Sequence, residues 1–137
     1  MKRFVALSLA FLLLLAAAPA AAATFTSLRQ LQDFIYSHAP AQYESGCYAE
    51  LSGVVAEIDH CGPNNHHNLT LLVNEENALK PMGSDCPTVT VHFRLHLEEP
   101  PFKVGDTITV FGWVNSMYTS YMVPFIQAVE INGSEEF

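Results

Sequence analysis

The chain has 137 residues, 50% of them hydrophobic, and a formal charge of −8. That composition describes one ordinary globular domain; it excludes a disordered chain and does not describe a membrane protein. Once the first 23 residues are removed, four basic residues (Arg29, Lys80, Arg94 and Lys103) face 14 carboxylates and the balance falls to −10. A chain so acidic is set against polyanions, because Lys and Arg supply most of the affinity for phosphates.

Met1, Lys2 and Arg3 form a basic start, residues 4–17 an apolar run, and Ala21 and Ala23 put small residues at −3 and −1 before Thr24. This is the pattern of a secretory signal peptide, too short in its apolar run for a membrane span, and its Ala-rich style is bacterial. The mature protein is therefore expected in the periplasm or outside the cell, with no membrane anchor after cleavage.

Ser27 followed by Gln30 reads as a capping box, and Leu28, Leu31, Phe34 and Ile35 lie on one helical face until Pro40. The spacing predicts one amphipathic helix over 27–38. From Gly46 the period changes to two, with strands expected near 47–59, 68–74, 87–97, 106–115 and 121–131, separated by Gly, Pro, Asn and Asp clusters. In the first run Ala49 and Leu51 share one phase and Val54, Ala56 and Ile58 the other, which places a bulge or bend at Gly53. A long first strand that bends mid-way serves both halves of a small closed barrel, and closure removes exposed edges.

The segment Val104-Gly105-Asp106-Thr107-Ile108-Thr109-Val110-Phe111-Gly112-Trp113-Val114, followed by Phe125-Ile126-Gln127-Ala128-Val129-Glu130-Ile131, resembles the last two strands of an OB-fold of the anticodon-binding and single-strand-binding type. The resemblance spans 47–131 and implies an all-β, five-stranded OB-fold barrel preceded by one N-terminal helix. Residues 1–23 are then the signal peptide, 24–45 the helix and linker, and 46–137 the barrel. Residues 98–102 are too few and too Pro-rich for the helix many OB-folds carry there, so the N-terminal helix is expected to plug the barrel, burying Leu31, Phe34 and Ile35.

OB-folds take ligands between their first and last hairpin loops. The last loop is polar, aromatic and uncharged, and with Trp113, Tyr118 and Tyr121 it suits a protein, peptide or saccharide partner. Nucleic acid is the fold's first suggestion but lacks a positive groove. No catalytic motif occurs, and a nucleophile built on Cys61 is the only concrete enzymatic arrangement. The function expected is a small exported binding or accessory module without catalysis; the rivals are a periplasmic zinc or copper protein and a single-stranded nucleic-acid binder.

Two expectations follow from a meander of strands. Cys47 and Cys61 bracket the first strand and stand too far apart to bond, so Cys47 is expected to pair with Cys86 in an oxidising compartment. Cys61 is then left at the opposite end, where His60, His66, His67 and His96 are expected to converge with it as donors for Zn²⁺ or Cu⁺.

Overall fold

The computed structural model describes residues 23–38 and 46–137. Residues 1–22, which carry the expected signal peptide, and residues 39–45 of the expected linker lie outside the described residues. In chain order the elements are β1 (Ala23–Phe25), α1 (Leu28–Ser37), β2 (Cys47–His60), β3 (His66–Leu72), β4 (Thr88–Arg94), β5 (Thr107–Val114) and β6 (Phe125–Ile131).

The strand order β2-β3-β4-β6-β5 closes on itself through β2 and β5, with β4 and β6 parallel and the other barrel pairs antiparallel. This is a five-stranded OB-fold barrel with a helix before it. β2 makes closure possible because its first half, Tyr48 to Val54, pairs with β5 while its second half, Val54 to His60, pairs with β3. The short β1 runs parallel to the start of β2, an element that three residues with no alternation do not announce in sequence.

The switch of faces in β2 is not at Gly53. Leu51, Gly53 and Val55 all point inward, Val54 is 39% exposed, and the register slips between Val55 and Glu57, so the bulge sits at Ala56 and Ile58 is the next residue to turn in. Gly53 serves another purpose: a Cβ there would stand 2.3 Å from the Leu72 carbonyl oxygen, so β2 passes the end of β3 this closely only without a side chain.

The inner faces and one helical face make a single core. Leu28, Leu31 and Ile35 of α1 are buried in it, and Phe34 is half-buried against it. The helix thus closes the barrel end next to the loop after β3. Near the end of β4, Phe102 and Phe137 pack edge-on against the fully buried Phe93, at ring separations of 5.4 and 6.0 Å. Phe102, from the Pro-rich segment, is thereby buried in the core without any helix between β4 and β5.

The start of α1 is held by a residue 47 or so positions away in the loop after β3. Ser27 caps the helix, and Glu75 receives hydrogen bonds from Ser27 Oγ (2.7 Å), Leu28 N (2.8 Å) and Arg29 N (3.0 Å). No acidic residue stands in the helix's own first turn, so Glu75 supplies the negative charge its N-terminus favours. Burial tends to raise the Glu75 pKa, but the three donors outweigh it and hold the carboxyl below its ordinary range. A depressed carboxyl stabilises the fold above its unfolded pKa, near 4.5, and that contribution disappears as the pH falls through the folded value. In urea titrations, a Glu75→Gln variant should therefore be less stable than the parent at neutral pH, with the gap closing in acid. A gap that stayed constant down to about pH 3 would contradict this role.

Cys47 and Cys86 do not meet. All three cysteines are free thiols: Cys47 is buried, and Cys86 donates to Val73 O at 3.5 Å. The expected pairing assumed that β3 runs the length of β2. Instead the end of β3, Leu72, lies opposite Val54, seven residues along β2 from Cys47 and roughly 23 Å at strand rise.

Candidate functional site

The hairpin between β2 and β3 turns through Gly62, Pro63, Asn64 and Asn65. Both asparagines have positive φ (62° and 59°), a conformation Asn tolerates better than most residues, and Cys61 N donates to His66 O to close the turn. Its other anchor is Leu95 N on Asn65 O at 2.8 Å. The loop between β5 and β6 is braced from within. Phe125 N donates to Thr119 Oγ1 (2.8 Å), Val123 N to Ser120 Oγ (3.1 Å) and Met117 N to Asn115 Oδ1 (3.0 Å).

Between these two loops, on the outer wall of β3, β4 and β6, lies a cleft of about 340 Å³ lined by Cys61, Asn68, His92, Asn115, Tyr118, Phe125 and Gln127. None of these side chains bears a fixed charge. Tyr118 leans over Phe125 with ring centres 5.2 Å apart.

His92 is the hub. Its Nδ1 lies 2.8 Å from Asn68 Oδ1 and 3.7 Å from Cys61 Sγ, and its Nε2 lies 2.9 Å from His66 Nδ1, with the His66 and His92 rings stacked at 5.0 Å. A carboxamide oxygen only accepts, so this network assigns the proton to His92 Nδ1, and His66 Nδ1 donates to the lone pair on Nε2. Burial lowers the His92 pKa, and the charges of His66 and His67 lower it further. Cys61 is pushed the other way by burial and by Asp59, which keeps it a thiol. A histidine with a depressed folded pKa stabilises the fold fully above its unfolded value, near 6.5, and loses that advantage as the pH falls through the folded value. Melting temperature should therefore decline from pH 7 towards 5, and His92→Gln should reduce that slope; an unchanged slope would refute the assignment.

The five expected metal donors are not brought together. Successive strand residues face opposite ways, so His66 stacks on His92 on the outer wall while His67 stacks on the core ring of Phe93 at 5.4 Å and meets His60 edge-on at 5.0 Å. His96 is exposed in the segment after β4, tied by its backbone N to Phe137 O. Among the described residues no group of three or more His, Cys, Asp or Glu is placed to hold a metal ion.

Of the expected ligand-contacting aromatics, Tyr118 lines the cleft and Trp113 stands outward on β5 beside it, as the register partner of Gln127. Tyr121 belongs elsewhere, against Tyr36 of α1 at 5.5 Å. His92, Asn68 and Gln127 were not anticipated. Their signal was the alternation of each strand, in which Val91 and Phe93, Leu69, and Ile126 turn inward and leave these residues outside. Their convergence depends on strand register. Neither a protein-family model nor a curated protein sequence matches this chain.

Proposed function

We propose that this chain is a small exported, non-catalytic binding module that takes an uncharged polar ligand in the cleft between its first and last hairpin loops. The observation that carries this reading is the cleft's lining: amides, an imidazole, a thiol and aromatic rings, with no fixed charge. Such a wall offers hydrogen bonds in both directions and apolar area, the combination found in small-ligand sites.

The state of Cys61 and His92 supports binding over catalysis. His92 Nδ1 carries its proton towards Asn68, so it is not free to take one from Cys61 at 3.7 Å, and the thiol's raised pKa disfavours the thiolate that nucleophilic catalysis needs. Arg94, the cross-strand partner of His66, is exposed but lines no part of the cleft, which leaves phosphates without a cationic anchor there.

Cys61 is a built-in reporter of the site. Mass-spectrometric mapping of alkylation by iodoacetamide, with neutral oligosaccharides and uncharged short peptides as probes, should find a probe that slows modification of Cys61 and leaves Cys86 reacting at its free rate. Probes that bind by calorimetry yet leave Cys61 fully reactive would place the site elsewhere and overturn the reading.

A further inference from the structure

The outward residues at the cleft's level form one continuous row across the barrel. Asn68 pairs with His92, His92 with Gln127, Gln127 with Trp113, and Trp113 with Tyr48, each as a direct Cα partner on the next strand. Four interstrand steps make the row about 19 Å long. It begins in the cleft on β3 and β4 and continues past the cleft onto β5 and β2. Gly112 sets its centre, because the lack of a Cβ there lets β5 approach the Gln127 backbone.

We infer that this row is the binding track of a linear neutral oligosaccharide, running from the polar cleft at Asn68, His92 and Gln127 to an aromatic platform at Trp113 and Tyr48. The inference rests on the cleft reading above and adds the ligand class and the direction in which it lies.

The two ends of the row differ in the way a sugar chain requires. At one end, Gln127 offers a carboxamide whose paired donor and acceptor suit neighbouring hydroxyl groups, and Asn68, whose Oδ1 accepts from His92, offers its amide N–H donors. Gln127 Nε2 makes only a long 3.4 Å bond to His92 O. At the other end, Trp113 is 39% exposed and Tyr48 is stacked on Phe111 at 5.5 Å with ring planes 9° apart, a flat surface for the C–H face of a pyranose. Both cross-strand partners of Phe111 are carboxylates, Glu50 and Glu130, so the platform is flanked by negative charge. That flank works against uronic or sulfated glycans and against nucleic acid.

The topology separates this class from a peptide. An extended peptide gains most of its affinity by adding a strand to a free sheet edge. Here every barrel strand has a neighbour on each side, and the stretches left open are short: the three-residue β1, and the part of β6 beyond Gln127, where its three-pair ladder with β4 ends. A ligand crossing the strands must be bound through side chains alone, as a sugar chain is.

Trp113 is the single tryptophan of the chain, so its emission reads the platform while Cys61 alkylation reads the cleft. The mature protein is titrated with cello-, chito- and malto-oligosaccharides from disaccharide to hexasaccharide, with heparin fragments and uncharged tetrapeptides as the other arms. The expected result is that one neutral series shifts Trp113 emission saturably, protects Cys61, and binds more tightly as the chain lengthens. By calorimetry, Trp113→Ala and Gln127→Ala should each weaken that binding about tenfold or more, a change of ~1.4 kcal/mol. Protection of Cys61 by tetrapeptides and by no sugar would overturn the saccharide class and leave the cleft reading standing. A sugar that protects Cys61 without moving Trp113 emission would confine the ligand to the cleft and overturn the track. A sugar that moves Trp113 and leaves Cys61 reactive would overturn the cleft reading and with it the track, and binding by none of the neutral series would overturn the inference outright.

Discussion

Gly112→Ala should lower the melting temperature by 10 °C or more, on the basis of about 3 kcal/mol lost and a domain of this size. A Cβ at this position would lie 2.1 Å from the Gln127 carbonyl oxygen and 2.8 Å from Ile126 Cγ2. The first of these atoms is backbone, so relief requires β5 and β6 to move apart and cannot come from a rotamer change. The site lies next to the register slip between Phe111 and Gly112, and the strands there also hold Trp113 beside Gln127. A folded remnant of the variant should consequently bind its ligand poorly. Gly53→Ala should behave alike, with its Cβ 2.3 Å from Leu72 O. Gly133→Ala is the control: nothing stands within 4 Å, and only the positive φ of 74° is strained, at a cost of roughly 1–2 kcal/mol. Thermal scans by circular dichroism compare the three, and a Gly112→Ala melting point within a degree of the parent's would refute the close approach.

The features legible in the sequence are those written locally. Ser27, Gln30 and the spacing of Leu28, Leu31 and Ile35 define α1 over 28–37 against an expected 27–38, because a cap and an apolar face are both properties of neighbouring residues. The barrel strands were legible from alternation for the same reason, and the Gly-Asp turn before Ile108, Val110 and Gly112 marked β5. What stayed hidden depends on register between distant segments. Whether Cys47 meets Cys86 turns on where β3 pairs along β2, and a two-residue period is blind to that offset. In sequence His92 is one of several outward residues alternating with Val89, Val91 and Phe93, and only pairing with Asn68 and Gln127 makes it the centre of a cleft. Glu75 stands beside Glu76 with no local feature to mark it, yet it caps a helix from a loop far along the chain. The site is accordingly less legible than the fold: its loops were foreseeable from the barrel type, whereas its floor is a product of strand pairing.

Gln32→Ala should destabilise the protein by about 3 kcal/mol and loosen the wall of the cleft at the same time. Gln32 is the one polar side chain fully buried among the described residues, and its three hydrogen bonds tie α1 to two loops. Its Nε2 donates to Leu79 O (3.0 Å) and Met122 O (2.9 Å), and its Oε1 accepts from Leu79 N (2.8 Å). Truncation leaves those backbone groups without their partner and removes volume from under the helix, and an unsatisfied buried group costs ~1–3 kcal/mol. Met122 belongs to the same loop as Tyr118 and Asn115, so freeing it transmits the loss to the binding wall. Hydrogen exchange should quicken at Val123 and Phe125, whose amides are held within that loop, while the amides pairing β2 with β5 keep their protection relative to the lowered global stability. Gln32→Glu separates shape from charge. The carboxylate retains the acceptor for Leu79 N but sets negative charge against two carbonyl oxygens, so this variant should lose stability as the pH rises and recover part of it in acid. A Gln32→Glu variant as stable as the parent at pH 8, or a Gln32→Ala variant with unchanged exchange in the last hairpin loop, would show that the helix does not brace the cleft.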